Sequence, residues 1–166
     1  MTFTTDTNFP STVGLPQAVS AAVANFRGLS VDDQLGLLWL LYQNLGCSLT
    51  PVTPGAARIF LTQGLLHRIK QMSHTEQLGA IRDLLAGADT AIARQYGTFV
   101  PNTKLAFWYQ LFEWMYTGEV VPAPASYKLS PVAEKVLKQI VSLDYSEQIM
   151  VVRQVVVEMG VEVLSA

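Results

Sequence analysis

The sequence predicts an all-α fold, and three observations lead there. Glycines stand singly where helices would end, as C-terminal caps do. Helix-opening signals recur: Ser30 ahead of Asp32 and Asp33, the capping-box spacing of Ser73 and Glu76, and Ser130 followed by Pro131. Apolar residues return at intervals of three and four, as in Leu105, Trp108, Phe112 and Met115.

Taken in order, residues 1–16 read as a polar arm and 17–166 as one helical domain. A short helix over 17–26 ends near Gly28. Ser30 caps a stronger helix through Leu45, with Asp32 and Asp33 in the first turn, where carboxylates favour the helix dipole, and Gly46 at the left-handed cap. Pro51 and Pro54 bracket a turn, and a helix runs from Gly55 to near Met72. Ser73 opens the next, which closes near Gly87; Asp89 or Thr90 begins a short one ending at Gly97. Asn102 is the expected N-cap of an aromatic helix through Thr117, stopped by Gly118. Val121-Pro122-Ala123-Pro124 must be extended, because two prolines and their restricted predecessors forbid helix. Ser130-Pro131 starts a helix to Leu143, and a last one spans 146–160. Val155, Val156 and Val157 favour strand locally, but Ile149, Val152, Val156 and Met159 recur at helical spacing, and helix is expected there. The total is about eight helices with short connections, with a weak organisation of four and four.

Half of the 166 residues are hydrophobic and only 14% are charged, against about 25% in ordinary soluble domains. Mean hydropathy is +0.28. Such a chain buries a large interior, holds an apolar ligand, buries a subunit interface, or combines these. The surplus is not a membrane span: the richest stretch, 35–42, is interrupted by Gly36 and falls far short of the roughly 18 residues a span requires. The polar start, 1–8, lacks a signal-peptide pattern, and a cytoplasmic location is expected. With net charge −2 and scattered Lys and Arg, no basic stripe suits nucleic acid. Cys47, the single cysteine, excludes an internal disulfide or a cysteine metal cluster and reads as a small buried hydrophobe.

Catalytic patterns are absent. His67 and His74 are seven apart across a helix boundary, where a metal pair wants three or four, so they read as surface residues. Asp32, Asp33, Glu76 and Glu113 fall at helix starts or on solvent faces. No glycine-rich phosphate loop exists. These features point away from an enzyme and from a bound metal.

The aromatics are distinctive. Trp39 and Tyr42 lie on one predicted helix, and Phe107, Trp108, Tyr109, Trp114 and Tyr116 on another; all three tryptophans are here. Trp39 and Tyr42 share a face with Leu35 and Leu38, and the second stripe carries Leu105, Trp108 and Phe112. If the stripes face each other, Tyr42 and Trp108 can sandwich a ring; equally, both stripes can fill a dry core.

Several separated segments resemble the N-terminal helical domain of the cyanobacterial orange carotenoid protein family. They are Leu38-Trp39-Leu40-Leu41-Tyr42 after Asp32-Asp33-Gln34-Leu35, Pro54-Gly55-Ala56-Ala57, and Pro101-Asn102-Thr103-Lys104-Leu105-Ala106-Phe107-Trp108-Tyr109. Val121-Pro122-Ala123-Pro124-Ala125-Ser126-Tyr127 and Val152-Arg153-Gln154-Val155-Val156-Val157-Glu158-Met159-Gly160 complete the set, so the resemblance runs over 3–160. The chain stops where two-domain members continue into an α/β domain, and is similar to the free-standing helical carotenoid proteins.

The resemblance implies an orthogonal all-α bundle of two interleaved four-helix subdomains with a ketocarotenoid between them: canthaxanthin, echinenone or 3'-hydroxyechinenone. It implies that Tyr42 and Trp108 flank a terminal ring, that Leu35, Leu38, Trp39, Gly55, Leu105 and Tyr109 line the tunnel, and that Ile149 closes it. The implied function is photoprotection by singlet-oxygen quenching without turnover or photoswitching. Direct quenching at thylakoid phycobilisomes and a pigment-free interaction module are the alternatives. Arg153 matches a phycobilisome-docking arginine and Asn102 a residue facing the second domain; the resemblance also implies, as a partner, a separate carotenoid carrier resembling that domain. A bound chloride is also implied. The chain departs from the family at Phe99 (usually Trp), Gln110 (commonly Arg) and Phe112 (expected Gly), the last tightening the tunnel near the ring.

Overall fold

A computed structural model describes residues 14–45, 59–122 and 127–161. Eight helices occupy them: α1 (Gln17–Arg27), α2 (Val31–Leu45), α3 (Ile59–Lys70), α4 (His74–Ala86), α5 (Ala91–Gly97), α6 (Pro101–Thr117), α7 (Pro131–Val141) and α8 (Tyr145–Val157). No strand occurs among the described residues, and no helix among them is long and apolar enough to cross a membrane. Gly46, Cys47, Pro51, Pro54, Gly55, most of the arm and 123–126 lie outside the described residues.

Local chemistry sets the helix ends. Ser73 accepts from the Glu76 N–H at 3.2 Å while Glu76 accepts from the Ser73 N–H at 3.1 Å, the reciprocal box the spacing predicts. Gly87 and Gly118 close α4 and α6 in the left-handed conformation. The expected cap at Asn102 is corrected: Val100 is the N-cap, Pro101 takes the first turn, and Asn102 lies inside the helix. Proline fits there because the first-turn N–H it lacks has no intrahelical acceptor. The α7–α8 boundary also moves, for Asp144 caps α8 through a box with Glu147, so α7 stops at Val141 and α8 starts at Tyr145. α8 ends at Val157, ahead of Gly160, and Val155, Val156 and Val157 are helical.

The helices form two groups of four. α1 packs on α7 and α8, and α2 on α7 and α8; α3, α4, α5 and α6 pack among themselves. The seams are α2 on α4 and α6 on α8. The chain thus begins in one group, builds the other, and returns to finish the first, which is an interleaved arrangement. Asp32 strengthens one seam by accepting two bonds from Arg82, at 2.7 and 3.0 Å. After α8 the Gly160 N–H donates to the Leu84 carbonyl at 2.9 Å and the Val161 N–H to the Ala93 carbonyl at 3.1 Å. That return lies so close to α5 that a Cβ at Gly97 would overlap the Val161 carbonyl oxygen.

Buried polar side chains tie the connections down. Gln34 Nε2 donates to the carbonyls of Phe26, Arg27 and Leu29 at 3.2–3.3 Å, which satisfies the open end of α1. Gln77 donates to the Lys70 and Glu119 carbonyls and accepts from the Val121 N–H at 3.1 Å. Asp33 stands in the first turn of α2, as expected, but its partners lie well beyond the helix. It is buried, and accepts from the Tyr127 hydroxyl, the Ser130 N–H at 3.1 Å and the Ser130 hydroxyl at 2.6 Å. Its neighbour one residue back points to Arg82; a helix turns about 100° per residue, so adjacent positions serve different neighbours.

Candidate functional site

The stripes on α2 and α6 meet, through rings. Trp39 stacks near Tyr42, with centroids 6.0 Å apart and planes at 17°. Tyr42 stacks on Phe112 at 4.6 Å and 22°, and Phe112 leans on Trp108 at 5.3 Å and 42°. Trp108 stands edge-on to Phe107 at 6.1 Å and 86°, and Phe107 edge-on to Tyr96 at 5.3 Å. One run of aromatic rings therefore crosses from α2 through α6 to α5. Each such pair adds about 0.5–1.5 kcal/mol beyond the area it buries.

Two hydrogen bonds fix the plates of this array. The Tyr42 hydroxyl donates to Glu113, half-buried on α6, which is neither at a helix start nor purely solvent-facing as expected. Trp108 Nε1 donates to the Tyr96 hydroxyl at 3.0 Å, and that hydroxyl in turn donates to the Val156 carbonyl. Burial holds the Tyr96 phenol neutral far above its usual range, against the smaller opposing effect of the Trp108 bond. The indole plane is thereby tied to α8 across the seam between the two groups.

The predicted site residues divide clearly. Leu35, Leu38, Tyr42, Leu105, Trp108 and Phe112 are buried in one continuous core. Trp39, Tyr109 and Ile149 are partly buried and pack against it. Gly55 is outside the described residues. Asn102 and Arg153 are half-exposed, on α6 and α8. Tyr96 and Glu113 were not singled out from sequence as part of the site. Tyr96 lies four residues beyond Ile92 on α5, a spacing that marks the same inward face, whereas nothing in sequence marks Glu113 as the partner of Tyr42.

Elsewhere the surface offers smaller features. A cavity of about 160 Å³ lies between α3 and α6, lined by Gln63, Leu66, His67, Gln110 and Trp114. Lys70 stands 4.6 Å from the centre of the Trp114 ring. A second, of about 230 Å³, lies beside the Arg27–Glu158 ion pair. His67 and His74 are exposed, and among the described residues no three His, Cys, Asp or Glu side chains form a metal-binding group.

The family described as orange carotenoid protein, N-terminal, matches residues 13–162. A Nostoc sp. protein named orange carotenoid-binding domain-containing protein is 48% identical over 170 aligned residues, covering 99% of each chain. Among solved structures the chain is similar to the Anabaena (Nostoc) sp. orange carotenoid protein binding canthaxanthin, with a TM-score of 0.81 and 44% identity. That match covers 88% of this chain and 47% of the other, so this chain spans about half its length. The red carotenoid protein of the same organism, also binding canthaxanthin, matches with a TM-score of 0.72 and 36% identity, over 87% of this chain and 99% of that one. With its family match spanning all eight helices and close relatives at these identities, the chain belongs to the orange carotenoid protein N-terminal family.

Proposed function

We propose that the chain binds a ketocarotenoid in the seam between its two helix groups and protects its surroundings by quenching singlet oxygen. The observation that carries this reading is the buried ring array joining α2 to α6, in a chain whose family relatives bind canthaxanthin. The lining fits such a group in its chemistry: a rigid apolar rod gains most from area removed from water, at roughly 25 cal/mol per Å².

Bound there, the pigment supplies a low-lying triplet that takes up the excitation of singlet oxygen and releases it as heat. The protein's share is physical. Leu35, Leu38 and Leu105 exclude water, while Trp39 and Tyr109 border the seam. Tyr42 and Trp108 set the aromatic end of the seam together with Phe112, held in orientation by Glu113 and Tyr96. Ile149, packed against the core, is assigned to the wall of the same tunnel.

A second reading, direct quenching of phycobilisome excitation, is favoured by the half-exposed Arg153 on α8, with Asn102 available to a separate carotenoid carrier. The decay of singlet-oxygen phosphorescence separates the readings. Pigmented protein should shorten it well beyond pigment-free protein at equal concentration. Equal decays, with lowered phycobilisome fluorescence, would overturn the first reading in favour of the second.

A further inference from the structure

A ring of the protein itself, Phe112, packs on both Tyr42 and Trp108. Phe112 lies 4.6 Å from Tyr42, 5.3 Å from Trp108 and 6.4 Å from Trp39, and is 1% exposed. It stands four residues after Trp108, one turn along the same face of α6. Protein interiors pack at about 0.75 of their volume, so a benzyl group and a ligand ring cannot share this place.

The outer plates are not free to part. Tyr42 is held by Glu113, which follows Phe112 in the chain, and Trp108 by Tyr96, which is anchored on α8. Opening the slot around Phe112 therefore costs a part-buried hydrogen bond on the Tyr42 side and a buried one on the Trp108 side.

Resting on the carotenoid reading above, we propose that Phe112 is a specificity-determining stop. It replaces the ligand's terminal ring between Tyr42 and Trp108, so that a conjugated ligand ends against Phe112 and its ring takes a shallower seat. Ligand class follows from this geometry: with the deep seat filled, the chain favours conjugated rods whose end group tolerates a looser setting, and the end ring is not forced flat by two aromatic faces.

The test uses the pigment-free full chain and β-ionone, a trimethylcyclohexenyl ring carrying a conjugated ketone. Phe112→Ala leaves a ring-sized apolar cavity beside Trp108, and should bind β-ionone about tenfold more tightly than wild type, read by tryptophan fluorescence and a raised Tm. Phe112→Leu, which keeps more of the packing, should show the same direction with a smaller change and serves if the alanine variant folds poorly. In canthaxanthin-loaded protein, Tyr42→Leu should shift the absorption band less in wild type than in the Phe112→Ala background. Equal β-ionone binding by wild type and both variants would overturn the stop, as would a Tyr42→Leu shift of the same size in both backgrounds. Should β-ionone discriminate while no variant takes up canthaxanthin, the stop stands and the carotenoid reading falls.

Discussion

Trp108→Ala should lose most of its pigment and about 3–5 kcal/mol of folding stability, the usual cost of emptying a large aromatic site in a core. Trp108 is 1% exposed and touches three partners in different ways: Phe112 across its face, Phe107 at its edge, and the Tyr96 hydroxyl through its N–H. Truncation removes all three contacts and leaves the Tyr96 hydroxyl with only its bond to Val156. Urea unfolding of the pigment-free protein measures the stability change; the ratio of visible to ultraviolet absorbance after gel filtration measures pigment retention. Trp108→Phe separates the two effects. It keeps an aromatic face but lacks the N–H, so it should cost about 1 kcal/mol for the lost bond, plus the smaller ring's packing deficit, and retain pigment. Full retention with an unchanged spectrum in Trp108→Ala would remove the indole from the site.

Asp33→Asn should cost about 2–3 kcal/mol at neutral pH, the range for losing charge-assisted hydrogen bonds in a buried place. Burial acts to raise the Asp33 pKa, but the bonds from the Ser130 hydroxyl, the Tyr127 hydroxyl and the Ser130 N–H outweigh it and hold the carboxyl below its usual value. A lowered folded-state pKa gives stability that is present above the unfolded value of about 3.9 and is lost as pH falls through the folded one. The gap between wild type and Asp33→Asn should therefore narrow below about pH 4. Burial, and then Asp33 itself, push Tyr127 up to about 12. That contribution has the opposite sense: it is complete below the unfolded tyrosine value of about 10 and fades as pH rises toward the folded one. Ultraviolet titration of the phenols should find Tyr127 ionising earlier in Asp33→Asn. An unchanged titration and a pH-independent stability gap would show that Asp33 is not the acceptor described.

The contrast between Asp32 and Asp33 explains what sequence can carry. Both sit in the first turn of α2 and look alike locally. Asp33 is set apart by partners 94 and 97 residues away, and no local pattern encodes that. Ser73, Glu76, Ser130 and Gly118 were legible because a cap is completed within a few residues of itself. Asn102 misled for the same local reason: its capping preference is real, but Pro101 ahead of it fits the first turn better and moves the boundary back to Val100. In the site, periodicity placed Leu105, Trp108, Phe112 and Met115 on one buried face correctly. It could not say which ring packs on which, and the run Tyr42–Phe112–Trp108 emerges only when the fold brings the rings of α2 and α6 together.

The central claim is that this chain holds a conjugated pigment in the seam bordered by the α2 and α6 rings. Its most direct test is the visible absorption spectrum of protein purified from a ketocarotenoid-producing host. A band red-shifted from the free pigment, eluting with the protein and displaced by Trp108→Ala, is the predicted result. A colourless protein from a host shown to make the pigment would contradict it, and the ring array would then be core alone.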